Sequence, residues 1–537
     1  MGLAQQIVEH ITVKSTLLVV SQIVLVFVAY QVLCIAWENI KISRQGLRPP
    51  KLPSRVPLGL DTLYMTMSNM KQHTNLEYWR WIFDQTKSAT AEMRVVGRRI
   101  VFTIDPENIK ALLATQFADF GKGELFHREW KDFLGDSIFT TDGDLWHGSR
   151  QLIRPQFIKD RVSDLHILET HTQVLFRAIA NGGALNGEDQ HVDMAAGNGK
   201  PLDISDLFFR FTLDAATDFL LGKDIKSLCT PRQEFAEAFA VVQQVQSIIT
   251  RAGPLAPWVP RKAFWKSMKI VNEFVNQYIE RALRLSPAEL ASKTKADSGY
   301  TFLHELATFT RDRKVLRDQL VAVLLAGRDT TACTLSWTIY ELARHPETLA
   351  KLRAEILSVV GPDRAPTYSD LKSMKYLQNV MNETLRVYPV VPFNVRLALK
   401  DTTLPRGGGP DGTQPVVVLK DTPVGYSTLV MQRRPELYPP TSDTFTDPEL
   451  FDPDRWSAQW QPKPWQYIPF NGGPRICIGQ QFALTEMGYV LTRLFQRYDR
   501  VVSYMGDVDG GRPTLKSEIV LAPGDGVKVA FFEAKSE

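Results

Sequence analysis

The sequence is poor in cysteine and has no strong excess of charge. Its four cysteines, Cys34, Cys229, Cys333 and Cys477, share no short spacing, which excludes the common zinc sites and secreted disulfide frameworks. Basic and acidic residues nearly balance, 63 against 59, giving a net charge of +4. This charge is too mild to indicate a nucleic-acid partner. No repeat occurs at a fixed period, and no long polar tract indicates disorder.

The composition is that of a globular protein with a sizeable core. Hydrophobic residues make up 44% of the 537 residues and charged residues 23%, both ordinary values for a folded chain. The length allows two or three average domains, or one large domain with appendages.

The longest run without a charged residue lies between Lys14 and Glu38 and has 23 residues. As a helix it would span roughly 35 Å, enough to cross a bilayer core. A cleaved signal peptide is the alternative, but its apolar stretch usually has about 7–15 residues and a small-residue cleavage site. Here Trp37-Glu38-Asn39 follows. We therefore expect an uncleaved membrane anchor.

The residues after this run predict which way the chain faces. Basic residues are concentrated there, and such residues stay on the cytoplasmic side: Lys41, Arg44, Arg48, Lys51 and Arg55, against Lys14 alone before the run. Four prolines between 49 and 57 predict a stiff spacer. We expect residues 1–14 to be a short lumenal segment, 15–37 the anchor, 38–58 a basic, proline-rich hinge and 59–537 one catalytic domain.

The body should be mainly helical with a small β region. Most of residues 60–400 have helical patterns, and after Val387 short β-type runs and proline-rich turns replace them. The predicted elements are an extended pair around Met93–Ile104, helices at Asp203–Gly222 and within Phe235–Leu283, β-type runs at Val416–Leu419 and Val424–Val430, and a closing hairpin at Ile519–Phe531.

One predicted helix is exceptionally long, from about Val315 to Arg344, and Pro346 stops it. Arg328 and Asp329 in its middle argue against a second membrane span, so a buried central helix is expected. A glycine, an acid and two hydroxyls follow one another at 327–331, and they predict a local widening or bulge of the kind often found at functional sites.

A glycine- and proline-rich loop leads Cys477 to the start of an amphipathic helix. The loop reads Phe470-Asn471-Gly472-Gly473-Pro474-Arg475-Ile476-Cys477-Ile478-Gly479. Backbone N–H groups at a helix start stabilise a thiolate, and glycines let a flat cofactor approach the backbone. Arg475 supplies a cation suited to an acidic group. On these grounds alone a buried structural cysteine stays an alternative.

These ten residues resemble the haem-binding signature of the cytochrome P-450 family, F-x-x-G-x-R-x-C-x-G, at every fixed position. The resemblance implies that Cys477 is the thiolate ligand of a haem b iron. It also implies that Phe470, Gly473, Arg475 and Gly479 belong to the cofactor site.

Other motifs agree with the family in order and spacing. Glu383-Thr384-Leu385-Arg386 resembles its E-x-x-R motif, and residues three apart share a helix face. Arg455, in Pro453-Asp454-Arg455-Trp456, resembles the third member of the same buried ion network. Trp146 and Arg150 resemble its W-x-x-x-R motif and Arg396 its strand arginine, all three contacting haem propionates.

Ala326-Gly327-Arg328-Asp329-Thr330-Thr331 resembles the oxygen-activating segment of the family's long helix. The reaction needs protons on a dry face of the haem, and a hydroxyl beside a carboxylate relays them through water. Asp329 and Thr330 are therefore the expected catalytic pair. The alternative, a hydroxyl bonded back to the i−4 carbonyl, is compatible with that role.

The resemblance implies a mainly α haem-thiolate fold preceded by one transmembrane helix, in the endoplasmic reticulum membrane with the catalytic domain in the cytosol. Electrons would come from NADPH through a reductase, and one atom of O2 would enter a lipophilic substrate. The chain is most similar to the fungal microsomal group that hydroxylates alkanes and fatty acids, although Val390–Val395 is bulkier than expected there. The residues expected to face substrate lie in a loop at Phe120–Ile138, at the helix positions Val323, Ala326 and Gly327, at Val391–Asn394 and at Ile519–Leu521.

Three other functions stay open. The same fold could oxidise an intermediate of a specialised biosynthetic pathway. A haem-thiolate isomerase or dehydratase would need no reductase and usually lacks the acid–alcohol pair. A non-catalytic haem or lipid carrier would not need the proton relay. NADPH-dependent product formation separates a monooxygenase from the last two.

Overall fold

The computed structural model describes residues 2–157, 165–292, 301–457 and 460–533. Its mainly helical architecture with a small β region confirms the predicted fold class. Its α-helices are Gly2–Gln45, Leu60–Gln72, Asn75–Thr86, Pro106–Lys110, Gly123–Leu134, Gly143–Ile153, His166–Asn181, Ile204–Leu221, Glu234–Ala252, Lys262–Arg284, Pro287–Ser292, Phe302–Phe309, Arg313–Leu342, Pro346–Val359, Tyr368–Ser373, Lys375–Val387, Thr428–Met431, Gln480–Arg497 and Gly506–Asp509.

The strands of the described residues form small sheets around the helices. They are β1 Thr90–Val95, β2 Arg98–Thr103, β3 Phe120–Gly121, β4 Leu202–Asp203, β5 Asn394–Ala398, β6 Thr402–Gly408, β7 Gln414–Val418, β8 Pro423–Tyr426, β9 Tyr498–Ser503, β10 Leu515–Ser517, β11 Leu521–Pro523 and β12 Lys528–Glu533. The largest sheet has the order β1-β2-β8-β5-β3, in which β2 and β8 are parallel and the other pairs antiparallel. The remaining sheets are β4-β12-β9, β6-β7 and β10-β11.

The helix Arg313–Leu342, called the long helix below, connects two hydrophobic cores. Asp312 caps its start by accepting hydrogen bonds from the Lys314 and Val315 backbone N–H groups. The first part, from Leu316 to Leu325, packs into one core, and the part after Ala332 packs into the other. The segment 326–331 lies between them. The prediction of a bulge here is wrong, because the helix is α-helical from end to end. The Thr330 hydroxyl donates to the Ala326 carbonyl at 2.7 Å, within the regular helix.

Two β predictions are wrong in their extent. The run Val424–Val430 is a strand only to Tyr426, because the Ser427 side chain accepts from the Val430 N–H and starts a short helix. The closing hairpin at Ile519–Phe531 is not one hairpin. Leu521 pairs with Ser517 in β10-β11, whereas Phe531 pairs with Val501 in the β4-β12-β9 sheet.

The first helix continues past the predicted end of the anchor and terminates at Gln45. Among the described residues, its segment Leu18–Gln45 is long and apolar enough to cross a membrane. Its end is fastened to the body, since Glu38 pairs with Arg94, and Lys41 lies 2.6 Å from Asp401. The proline-rich segment that follows is fastened as well, through backbone bridges between 47 and 416 and between 51 and 92.

A buried ion network joins the helix Lys375–Val387 to the segment 446–456. Arg386 Nε and Nη2 donate to the two Glu383 oxygens at 2.7 and 2.8 Å, and Arg455 Nε donates to Oε1 at 3.0 Å. The Trp456 indole and the Asp452 N–H complete the shell of the carboxylate. Burial would raise the pKa of Glu383, but the two arginines outweigh it and lower that pKa.

We expect Glu383→Ala to destabilise the protein by about 3–5 kcal/mol, because it leaves two arginines buried without their carboxylate. Urea unfolding and haem content measure the effect, and we expect the variant to retain little haem. The matched control is Asp454→Asn, which removes a pair with Lys351 whose side chains are half exposed and should cost less than about 1 kcal/mol. Equal stability of the two variants would contradict a structural role for the network.

Candidate active site at the cysteine loop

The loop that ends at Cys477 has a backbone that depends on glycine. Gly473 has a φ of +65°, and a Cβ on it would lie 1.9 Å from the Leu113 carbonyl oxygen, so no other residue fits without a shift of the backbone. The Cys477 N–H donates to the Phe470 carbonyl at 2.9 Å and closes the loop. The helix Gln480–Arg497 follows immediately.

Cys477 is a free thiol whose residue is exposed to solvent, although protein atoms surround it closely enough to desolvate the sulfur. It therefore faces a concave surface. Burial raises the pKa of the Cys477 thiol, while the Gly479 backbone N–H and the charge of Arg150 oppose that rise. The last two favour the thiolate, the form in which cysteine binds a metal.

Arg475 is held above the predicted tryptophan. Its guanidinium lies 4.7 Å from the Trp146 ring centre, and Nη2 donates to the Thr141 carbonyl at 2.9 Å and to Asp142 Oδ1 at 2.5 Å. Its Nε is buried and has no hydrogen-bond partner within the described part of the chain. Burial, and next the charge of Arg396, lower the pKa of Arg475 to about 10.

Arg396 and Lys122 add two cations to the same place. Arg396 is 2% exposed and donates to Asn394 Oδ1 at 3.1 Å, while Lys122 Nζ donates to the same oxygen at 3.4 Å. Burial, and then the charges of Arg396 and Arg475, hold the pKa of Lys122 well below its usual range. Asp142 is the carboxylate that opposes them. Two arginines and a lysine whose charged form is disfavoured stand against one carboxylate, an arrangement that fits a ligand with further negative charge, because such a ligand would favour the protonated lysine.

The sequence reasoning missed Lys122 and Asp142. Asp142 accepts hydrogen bonds from the Lys122 and Gly123 N–H groups and from Arg475, so it joins the loop before the helix Gly123–Leu134 to the cysteine loop. No motif marks either residue, and the only signal was that Lys122 falls in the loop Phe120–Ile138 that was expected to face substrate. The prediction of a loop there is wrong, because Gly123–Leu134 is a helix.

The remaining haem candidates are placed as follows. Arg150 is half-buried, 6.0 Å from the Trp146 ring centre, and close enough for its charge to act on Cys477. Phe470 is half-buried in the loop. A Cβ on Gly479 would meet Phe157 at an ordinary 3.6 Å, so packing does not by itself require a glycine there.

On the long helix, the residues that stay partly open form one stripe. Val323, Ala326, Gly327 and Thr330 are half-exposed while their neighbours are buried, and positions i, i+3, i+4 and i+7 share one helix face. Val323 and Ile478, the neighbour of Cys477, pack against the same hydrophobic core. The long helix also contacts the helix Gln480–Arg497 that follows the cysteine loop.

Asp329 lies beside the stripe and is 2% exposed. Its Oδ1 is 3.3 Å from Arg328 Nη1, but neither carboxylate oxygen has a well-aligned hydrogen bond from the described residues. Burial raises the pKa of Asp329, and the charge of Arg328 and a hydrogen bond from the Gln243 side chain oppose the rise. A buried carboxylate with so few partners is costly, and its position calls for an explanation.

The donor set fits a haem. A cysteine sulfur lies in a recess that solvent reaches, a glycine loop permits close approach, a group of basic side chains suits two propionates, and the long helix carries a partly open stripe of mostly small residues. The Arg475 Nε supplies a buried donor that such a carboxylate would satisfy.

Comparison with known proteins agrees with this geometry. The family model described as Cytochrome P450 matches residues 50–524. Cytochrome P450 monooxygenase pvhE of Talaromyces variabilis is 53% identical over 96% of this chain and 95% of its own length. Cytochrome P450 52A13 of Debaryomyces hansenii is 41% identical over 88% of this chain and 89% of its own length.

A solved structure, the haem domain of cytochrome P450DA, has the same fold. It superposes with a TM-score of 0.71 at 21% identity, covering 91% of this chain and 98% of that one. With the family model matched over most of the length and relatives well above 30% identity, the chain belongs to the cytochrome P450 family.

Proposed function

We propose that this haem-thiolate monooxygenase hydroxylates a long aliphatic chain at or near its terminal methyl group. Membership of the family means haem b, a cysteine thiolate ligand and electrons from NADPH through a reductase. The apolar stripe on the long helix carries the proposal about substrate, because its open surface at Val323, Ala326 and Gly327 offers no hydrogen-bonding side chain.

When bound, haem with a thiolate ligand supplies the activation of O2 and the transfer of one oxygen atom to a C–H bond. Cys477 would hold it from one side, and Gly473 would let it approach the loop. Lys122, Arg396 and Arg475 would hold its carboxylates, with Trp146 fixing the plane of the Arg475 guanidinium.

Asp329 and Thr330 would deliver protons. The Thr330 hydroxyl donates to the Ala326 carbonyl, so its lone pairs stay free to accept a proton donor from the pocket. Asp329 is buried, and its raised pKa makes it easier to protonate than an ordinary aspartate. Its pairing with Arg328 restricts the position of the carboxylate, which belongs to the residue just before Thr330 in the chain.

Terminal attack needs orientation, because primary C–H bonds are stronger than internal ones. A narrow apolar passage achieves it by letting only the chain end reach the reacting centre, which is catalysis by positioning. Phe393 is a candidate wall of that passage. Its ring packs against Trp79 and Phe102, with ring centres 5.6 and 5.5 Å away, and the residue is 40% exposed.

The location and the redox partner are also proposals. The apolar first helix supports a membrane anchor, and the basic residues after it favour a catalytic domain on the cytosolic side of the endoplasmic reticulum. Residues 1–14 and 15–37 would then be the lumenal segment and the anchor, and 38–58, which was expected to be a hinge, would be a connection fastened to the catalytic domain 59–537. The partner would be a membrane-bound NADPH-dependent cytochrome reductase.

We expect Cys477→His to abolish the red-shifted Soret band of the reduced, carbonyl-bound protein, because imidazole does not donate electron density as a thiolate does. Difference spectra of purified protein measure it. Cys333→Ser is the control, since Cys333 is a buried cysteine on the far part of the long helix, and it should keep the band. A red-shifted band in Cys477→His would refute the assignment.

We expect Thr330→Ala to bind haem and substrate but to lower the product formed per NADPH severalfold, with the lost electrons appearing as peroxide. Only proton delivery is removed in this variant. Thr334→Ala is matched to it, because Thr334 also donates to an i−4 carbonyl, that of Thr330, but is buried outside the stripe. An unchanged ratio in Thr330→Ala would exclude the hydroxyl from the relay.

We expect the anchored protein, reconstituted with reductase, to oxidise a series of fatty acids and alkanes at or near the chain end. One methylene changes binding by only about 1–3 kcal/mol, so several chain lengths should react. Mass spectrometry identifies the products. No oxygenated product from any member of the series would contradict the proposal and favour a biosynthetic intermediate as substrate.

A further inference from the structure

The cysteine loop contains a second residue with left-handed backbone, and it is not a glycine. Asn471 has a φ of +64°, a backbone conformation that residues other than glycine rarely adopt. Its N–H donates to the Ile468 carbonyl at 3.0 Å. Its preceding residue, Phe470, supplies the carbonyl that accepts from the Cys477 N–H. The direction in which that carbonyl points is therefore set at Asn471, six residues before the sulfur.

A buried phenol holds the Asn471 side chain. The Tyr426 hydroxyl donates to Asn471 Oδ1 at 2.9 Å, and Tyr426 is 1% exposed. Its backbone is fixed from two sides, since it pairs with Thr103 across β2 and with Asn394 across β5. Burial raises the pKa of Tyr426, so the phenol keeps the proton that it donates.

The strand pair β5-β8, which carries Tyr426, also carries one of the cations of the site. Arg396 lies two residues after Asn394 on β5 and pairs with Val424 of β8, so the largest sheet holds Tyr426 and Arg396 on adjacent strands. One hydrogen bond thus connects the sheet that carries a haem-side cation to the loop that carries the sulfur. We infer that Tyr426 is a positioning residue, which fixes the left-handed turn at Asn471 and through it the direction of the Cys477 N–H and sulfur.

A rival support for the loop lies close by. The Trp465 ring packs against Gly472, where an added Cβ would be 2.5 Å from a ring carbon. This contact would hold the loop without the phenol. The two supports make different predictions, because only the hydrogen bond depends on the side chain of Asn471.

The test follows the thiolate-ligated haem of the full-length holoprotein by its reduced carbonyl-bound Soret band over time. We expect Tyr426→Phe to lose the thiolate band about five to ten times faster than the parent, the factor given by one net hydrogen bond. Asn471→Asp keeps an acceptor and should lose the band at the parent rate. Tyr340→Phe removes a buried phenol bonded to Asp509 at 2.8 Å, far along the chain from the loop, and should also match the parent.

The decisive comparison is made in an Asn471→Gly background. Glycine adopts a positive φ without help from a side chain, so adding Tyr426→Phe should change the rate less than twofold there. Acceleration by Tyr426→Phe that is equal in both backgrounds, or absent in the parent, would overturn the inference.

If Tyr426→Phe yields no folded protein, Asn471→Ala replaces it, and equal rates in Asn471→Ala and Asn471→Asp would overturn the inference. Absence of a thiolate band in the parent would refute Cys477 as ligand instead.

Discussion

Much of the irregular part of the structure depends on the carboxylate of Glu383. The segment from Gln432 to Trp456 has little regular structure, so many of its carbonyls need side-chain donors in place of a helix or sheet ladder. Arg386 donates to the carbonyls of Gln432, Pro448 and Leu450, and Arg455 to those of Thr446, Asp447 and Leu450. Glu383 is the carboxylate that both arginines contact, and it offsets part of the cost of burying their charges. A hydrophobic replacement could equal the network in stability, but it would leave these carbonyls without donors.

The site is placed where two cores meet. The long helix is mostly buried from Leu316 to Leu342, yet residues 326–331 belong to neither core, and a stripe of small side chains and one hydroxyl stays partly open there. A helix can keep threonines inside a protein because each hydroxyl bonds back to a carbonyl, as Thr330, Thr334 and Thr338 do. Because each hydroxyl has its hydrogen bond within the helix, the helix stays regular. Position 330 can therefore carry a threonine, as the proposed proton delivery requires.

The sequence predicts the parts of the site whose geometry is local. The spacing of Glu383 and Arg386 is a helix-face relationship, and the glycine at 473 is required by a backbone that a ten-residue signature already describes. Lys122 and Asp142 could not be found in this way, because they meet Arg475 only after segments 330 residues apart pack together. The strand at Val424 was predicted too long for a similar reason. A serine cap and the packing around it, rather than the hydrophobicity of Leu429 and Val430, decide where the helix begins.

The attachment of the first helix to the body affects how the enzyme encounters its substrate. Ion pairs at Glu38 and Lys41, and the backbone bridges that follow, attach the end of the first helix and the chain after it to the body at several points. With the first helix in a bilayer, as proposed above, a body attached in this way would not swivel freely on a tether and would keep one face toward the bilayer. A lipid-soluble molecule would then meet the enzyme by lateral diffusion in two dimensions. The rate of encounter would depend on the membrane's composition and fluidity rather than on the concentration in water.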